Sequence, residues 1–341
     1  MTANIVKKER DAGVDNLKGI LIFLVVFAHL IEIAWGYAPE LKYVYVAVYA
    51  FHMPLFIFLS GMFTKVDDGT AMRAFKRFLI PYLIFNILYQ LFKSLLAGQA
   101  PTISIFTPNW VFWYLLSMFL WSTSLLWAKK LRFAVAVVVI AAIIVGFFPE
   151  INRFLSLSRT FCFFPFFLIG HMYGKELMAL TKKLPRIAFV GGLLALFALA
   201  IAAFHFGWIQ VGMLYFADGY AAHGFDPAYV GVLTRVLLLV LAATLCFCML
   251  VAIPRKNTFF TPLGKYTLTI FLLHPFIYSA LQKLDLSFFG SISPIFSGAI
   301  LFVASVIICV LLGNAFVNKA YGYLNTFIDF VFTKKVSKEE T

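Results

Sequence analysis

A lysine, a histidine and a glutamate interrupt the first apolar run of this chain, Leu17 to Trp35. Ten residues separate Lys18 from His29, which at 3.6 residues per turn puts them about three turns apart on one helix face, roughly 16 Å along the axis. Glu32 follows one turn later. Asp15, Lys18, Ile22, Val25, His29 and Glu32 thus form one stripe, polar at both ends, on a helix otherwise built from Leu, Ile, Val and Phe. An ionisable group inside a bilayer costs about 2.5–3.5 kcal/mol on insertion scales, so such groups face a protein interior or a watery cavity and mark function. Imidazole suits the removal of a proton from a hydroxyl near neutral pH, and Glu32 is spaced to orient that ring and stabilise its charged form. The alternative chemistry has His29 itself act as a nucleophile and carry the transferred group transiently.

The elements that position this stripe are membrane helices. Of the 341 residues 62% are hydrophobic and only 13% charged, a composition solvated by lipid. Apolar runs near 20 residues predict an all-α polytopic fold of ten spans: 17–35, 43–63, 78–97, 110–128, 133–148, 160–178, 187–206, 230–252, 265–282 and 295–317. With both termini on one side, 22 of the 28 lysines and arginines fall on that side, and six (Lys42, Lys93, Arg153, Arg159, Arg235 and Lys283) fall on the other. The positive-inside rule makes the richer side cytoplasmic. It also accounts for the net charge of +13 through topology, with no nucleic-acid partner. The first run, preceded by charges, reads as a retained anchor and not a cleaved signal. The four cysteines lie in apolar spans without paired spacing, which points to neither disulfides nor a metal site.

With no repeat and no Gly-, Ser- or Pro-rich linker, the chain reads as one domain over 1–341. Two segments stand apart. Gly207 to Tyr229, on the outer side, carries Asp218, His223 and Asp226 among aromatics, as a lid or acceptor platform would. The tail, 318–341, reads as a cytoplasmic interfacial helix, its apolar face over Tyr321 to Phe332 followed by Lys334, Lys335 and Lys338 facing anionic lipid.

The motifs are specific. Asp15-Asn16-Leu17-Lys18-Gly19 runs on to His29; the second span ends Phe51-His52-Met53-Pro54-Leu55-Phe56-Ile57-Phe58-Leu59-Ser60-Gly61-Met62-Phe63; the ninth reads Leu263-Gly264-Lys265-Tyr266-Thr267-Leu268-Thr269-Ile270-Phe271-Leu272-Leu273-His274. In this order, over nearly the whole chain, they resemble the bacterial membrane acyltransferase 3 family, whose first helix carries a basic residue, ten residues and a histidine. Ser158-Arg159-Thr160 with Phe163-Phe164-Pro165-Phe166-Phe167 is similar to the fucose 4-O-acetylase-like, surface-polysaccharide branch. The chain departs in two places. Lysine replaces the commoner arginine at position 18, giving a point charge in place of a bidentate fork, and the family's paired arginines appear as Arg73-Ala74-Phe75-Lys76 with Arg77 adjacent. Many relatives also carry an extracellular hydrolase-like domain, and this chain stops after its tenth span, so no relay through an appended domain is expected.

The resemblance implies a membrane O-acyltransferase, an acetyltransferase above all, in the bacterial cytoplasmic membrane. His29 and Glu32 would serve catalysis. Lys18, Arg73, Lys76 and Arg77 would contact the phosphates of acetyl-CoA or another acyl-CoA, which is a donor substrate and not a resident cofactor. Asp15, His52, Ser60, Arg159 and His274 stand as acceptor-side or structural residues, Ser60-Gly61 chiefly as a close packing point. The acceptor would be a hydroxyl of a cell-surface glycan or its lipid-linked precursor, and the protein a possible homo-oligomer. The rival class is a transporter or flippase for a glycan or lipid-linked sugar, which internal repeats or matching broken spans would favour; none are visible in the sequence.

Overall fold

The computed structural model describes residues 11–128, 130–151, 153–225 and 227–332. Lys7, Lys8, Arg10, Lys129, Asp226, Lys334, Lys335 and Lys338 lie outside the described residues. The described chain is helical: α1 (Ala12–Ala34), α2 (Leu41–Tyr49), α3 (His52–Phe63), α4 (Thr70–Ala74), a π-helical turn (Phe75–Leu79), α5 (Ile80–Ala97), α6 (Trp113–Ala128), α7 (Ala134–Ile144), α8 (Leu157–Thr181), α9 (Arg186–His205), α10 (Ala228–Ala252), α11 (Thr267–Leu281), α12 (Pro294–Leu312) and α13 (Ala315–Phe332). Eight stretches among the described residues are long and apolar enough to cross a membrane, and two shorter apolar helices, over 134–147 and 267–281, complete the ten expected spans.

Three boundaries differ from the sequence reading. The first helix begins at Ala12, where the Asp11 side chain accepts from the backbone N–H groups of Gly13 and Val14, so Asp15 and Lys18 are inside it. The second span is two helices. Pro54 has no N–H to return to Ala50, and the chain breaks between Tyr49 and His52. The third span starts at Thr70, because the basic segment Arg73 to Arg77 continues helically through the π turn instead of forming a loop.

α1 is buried along most of its length. It lies so close to the segment before α11 that a Cβ on Gly19 would stand 2.0 Å from the Phe260 carbonyl oxygen, and one on Gly264 2.0 Å from that of Asp15. α3 and α8 share the most extensive helix contact. It rests on a reciprocal approach, a Cβ on Gly61 falling 2.0 Å from the Phe167 carbonyl and one on Gly170 2.0 Å from that of Phe58. Small residues let helices meet where lipid offers no hydrophobic driving force between them.

The connecting segments sort by side. Lys182 pairs with Asp11 at 3.3 Å, the Asn16 side chain donates to the Pro254 and Lys256 carbonyls, and Lys76 pairs with Asp329. At the other end Tyr43 meets His205, Leu155 donates to the Phe106 carbonyl, and Arg153 pairs with Asp218. In these contacts segments expected inside meet inside, and outer meet outer. All four native cysteines are buried, so added ones report cleanly. A cysteine replacing Ala221 should react with an impermeant maleimide on intact cells, and one replacing Asp68 only after permeabilisation. The reverse pattern inverts the topology.

Candidate active site

His29 lines a cavity of about 270 Å³ enclosed by α1, α3, α6, α8, α11 and the 211–215 turn. Its partner is a second histidine: His29 Nδ1 lies 3.1 Å from His274 Nε2. His274 Nδ1 lies 3.0 Å from the Ile270 carbonyl oxygen one turn back on α11. A carbonyl oxygen only accepts, so Nδ1 of His274 carries the proton and its Nε2, in the neutral ring, is bare. Nδ1–H of His29 donates to that bare nitrogen. Neutral His29 therefore keeps its own Nε2 unprotonated, and with Nδ1 engaged this is the nitrogen available to whatever enters the cavity. Pro275 follows His274 directly and removes the N–H that would otherwise bond the Phe271 carbonyl, which loosens this turn of α11 around the ring.

The geometry differs from the spacing argument at Glu32. The carboxylate accepts from the hydroxyls of Tyr45 and Tyr49, and the place beside His29 Nδ1 belongs to His274. Tyr45 gives its proton to Glu32, so its oxygen accepts from Tyr215 OH at 3.0 Å. Glu32 thus ties α2 and the 207–229 segment to α1. His52, at the start of α3, also lines the cavity, with Nδ1 against the Val48 carbonyl at 2.9 Å. By the same reasoning its Nε2 is an acceptor. Arg159 is turned inward instead of toward lipid headgroups: its guanidinium sits 5.2 Å over the Trp113 ring, Nε donates to the Tyr215 carbonyl, and it is the one arginine or lysine among the described residues lining this cavity. Trp110 packs 4.3 Å from the His29 ring and 4.1 Å from Tyr278, centroid to centroid. Its φ of 48° is left-handed, a conformation that costs a non-glycine residue of order 1–3 kcal/mol and persists where the surroundings over-determine it.

A larger cavity, about 980 Å³, gathers the cationic candidates. Lys18, Arg73, Lys76 and Arg77 all line it, as does Ser60. Lys18 Nζ lies 3.9 Å from the centre of the Phe63 ring. Arg73 is engaged by Asp67 at 2.7 Å, and its guanidinium holds that carboxyl below the usual carboxylate range. Lys76 meets Asp329 at 2.9 Å. α13 supplies part of the wall through Tyr321, Asn325, Ile328 and Asp329, so the helix expected to lie only at the membrane surface also bounds this cavity. Asp15 lines neither cavity; it is buried where α1 meets Gly264.

A family model described as an acyltransferase domain matches residues 11–314, which includes every cavity residue except those on α13. The chain belongs to the acyltransferase 3 family. Nodulation protein NolL of Sinorhizobium fredii (strain NBRC 101917 / NGR234) is 28% identical over 193 residues, 49% of this chain and 50% of that protein. The chain thus matches about half the length of this curated relative. No solved structure matches. The helices within the matched range carry both histidines of the relay, and the protein is a multi-pass membrane protein.

Most of the aromatic wall of the smaller cavity has no counterpart in the sequence reading. Tyr49 lines that cavity beside His52, and its place three residues before that histidine is a helical spacing that could have pointed to it. Trp110 carried no such signal, because its place depends on an irregular loop held by Asn86, which accepts from the Asn109 N–H.

The relay is testable by rescue. His274→Phe should lower kcat by on the order of a hundredfold with both KM values little changed, because the ring that fixes the His29 tautomer is gone while the volume is kept. His274→Gln, whose side-chain carbonyl can accept from His29 Nδ1–H, should recover part of it. Wild-type kcat in the Phe variant removes His274 from the chemistry.

Proposed function

We propose that the protein is an O-acyltransferase of the bacterial cytoplasmic membrane that moves an acyl group, an acetyl group above all, from cytoplasmic acyl-CoA to a hydroxyl of a cell-surface glycan or its lipid-linked precursor. The observation that carries this reading is the unprotonated Nε2 of His29, set by the relay to His274 and Ile270, in a cavity adjoining one lined by five cationic side chains, Lys65 among them. The cationic cavity suits the phosphates of a CoA ester, and the aromatic and polar walls of the smaller one suit a sugar.

In this reading His29 Nε2 takes the proton of the acceptor hydroxyl as its oxygen attacks the thioester carbonyl carbon. The hydrogen bond from Nδ1–H to His274 is already made and stays in place as the ring becomes charged, and the Trp110 face beside it favours that charge. Arg159 answers the negative charge that develops on the thioester oxygen. The carbon–sulfur bond then breaks, and the thiolate leaves with the proton that His29 held. His52 Nε2 accepts from a neighbouring hydroxyl and orients the acceptor. Glu32 acts at one remove, through the tyrosines it holds.

His29→Ala should abolish transfer with expression and detergent-extracted monodispersity near wild type. Incubation of the wild type with radiolabelled acetyl-CoA and no acceptor, followed by acid quench, should leave no label on the protein; label lost on His29→Ala would instead make His29 an acyl carrier. Full transfer by His29→Ala would end the reading.

The donor side has its own test. Lys18→Ala should raise KM for acetyl-CoA about three- to tenfold while leaving KM for the glycan and kcat near wild type, as expected when uniform binding is lost, and Lys18→Arg should be tolerated. An unchanged donor KM in Lys18→Ala takes Lys18 out of the donor site.

A further inference from the structure

The two cavities meet at Phe271, the residue that lines both together with the helix bearing His274. Its ring is 6.0 Å from that of His274, less than one turn further along α11. On the larger side Tyr114 stands beside it edge to face, with centroids 5.2 Å apart, and is flanked by Phe56 at 5.8 Å. Tyr114 is braced. Ser60 Oγ donates to the Phe56 carbonyl at 2.9 Å, so its lone pairs are left to accept the Tyr114 hydroxyl proton at 2.8 Å. Phe271 and Tyr114 are 6% and 7% exposed. The partition between the cavities is thus a pair of packed rings and not a loop that swings aside.

On the functional reading above, a thioester entering from the larger cavity presents its carbonyl carbon to His29 at this partition. The acyl chain beyond that carbon must go somewhere. The smaller cavity, about 270 Å³, falls below the roughly 300–1,000 Å³ of pockets that enclose a drug-sized ligand, and a sugar ring bearing the reacting hydroxyl takes most of it. The space left for the chain ends at Phe271, which Tyr114 backs from the side of the larger cavity.

We propose that Phe271, with Tyr114 held by Ser60, gauges the length of the transferred acyl group and restricts it to two carbons. The gauge changes no step of the transfer: the carbon–sulfur bond breaks and the carbon–oxygen ester bond forms for any acyl group, and the rings act on the alkyl end alone. In a fitted apolar pocket one methylene changes kcat/KM by roughly 10- to 200-fold.

The inference rests on the assignment of the larger cavity to the donor and the smaller to the acceptor. The full chain, purified in detergent, is given acetyl-, butyryl- or octanoyl-CoA with lipid-linked oligosaccharide extracted from the expressing cells, and free thiol release and acyl ester formation are followed. Wild type should use acetyl-CoA at least tenfold better than butyryl-CoA. Phe271→Ala should raise the butyryl-to-acetyl ratio of kcat/KM at least tenfold, and Phe271→Leu, which keeps more of the packing, should raise it less. Wild-type use of octanoyl-CoA as good as that of acetyl-CoA overturns the gauge. So does a ratio that rises in neither folded variant, whether or not acetyl transfer survives. A wild type that transfers from none of the three thioesters overturns the donor assignment itself.

Discussion

A polar group inside a bilayer has no water to fall back on, so its partner has to come from the protein. His29 lies in the C-terminal half of the first helix, 6% exposed, and the arrangement around it follows from this one demand. One nitrogen is satisfied by His274, and His274 in turn by a backbone carbonyl of its own helix. The relay ends there because a carbonyl needs nothing further. The same economy that makes the histidine tolerable in the membrane fixes its tautomer, and the tautomer leaves Nε2 unprotonated.

Other features serve that bond. α1 and α11 have to be close enough for two imidazoles to touch, which the Gly19 and Gly264 contacts allow by removing the side chains that would hold the helices apart. α3 has to carry His52 to the same cavity, and the Gly61–Gly170 crossing with α8 sets where it passes. A histidine shortly before a proline occurs twice, at His52 and His274. In each case the imidazole bonds a carbonyl four residues back, near helical turns that proline leaves short of a donor. The histidines and the irregular turns belong together.

Much of this was legible in the sequence, for reasons tied to particular residues. Composition and run length reveal membrane helices because lipid imposes them, and the stripe through Lys18 and His29 was visible because helical geometry is regular. Four of the five cations that line the larger cavity lie on α1 and in the 73–77 segment, where Arg73, Lys76 and Arg77 have the spacing of one helical face. What could not be seen depended on contacts distant in sequence. Glu32 is one turn from His29, and spacing made it the natural orienter; the choice of His274 instead, 245 residues away, is a matter of how α1 and α11 pack. Trp110 adopts its left-handed backbone at the start of a short 3-10 turn that follows an irregular loop, where no periodicity reveals it. α13 reads as an amphipathic surface helix, and nothing local in its sequence says that Asp329 meets Lys76.

The way the relay ends has an electrical consequence. Two cavities separated by a pair of aromatic rings within one bundle are an invitation to leak, since a chain of hydrogen-bonding groups joining them would let protons run down the membrane potential. His29 and His274 are such groups, but the second hands its N–H to the Ile270 carbonyl, and a carbonyl cannot pass a proton on. Along that branch a proton that reaches His29 goes no further than His274. The histidine pair is therefore a dead end for protons and no wire between the two cavities.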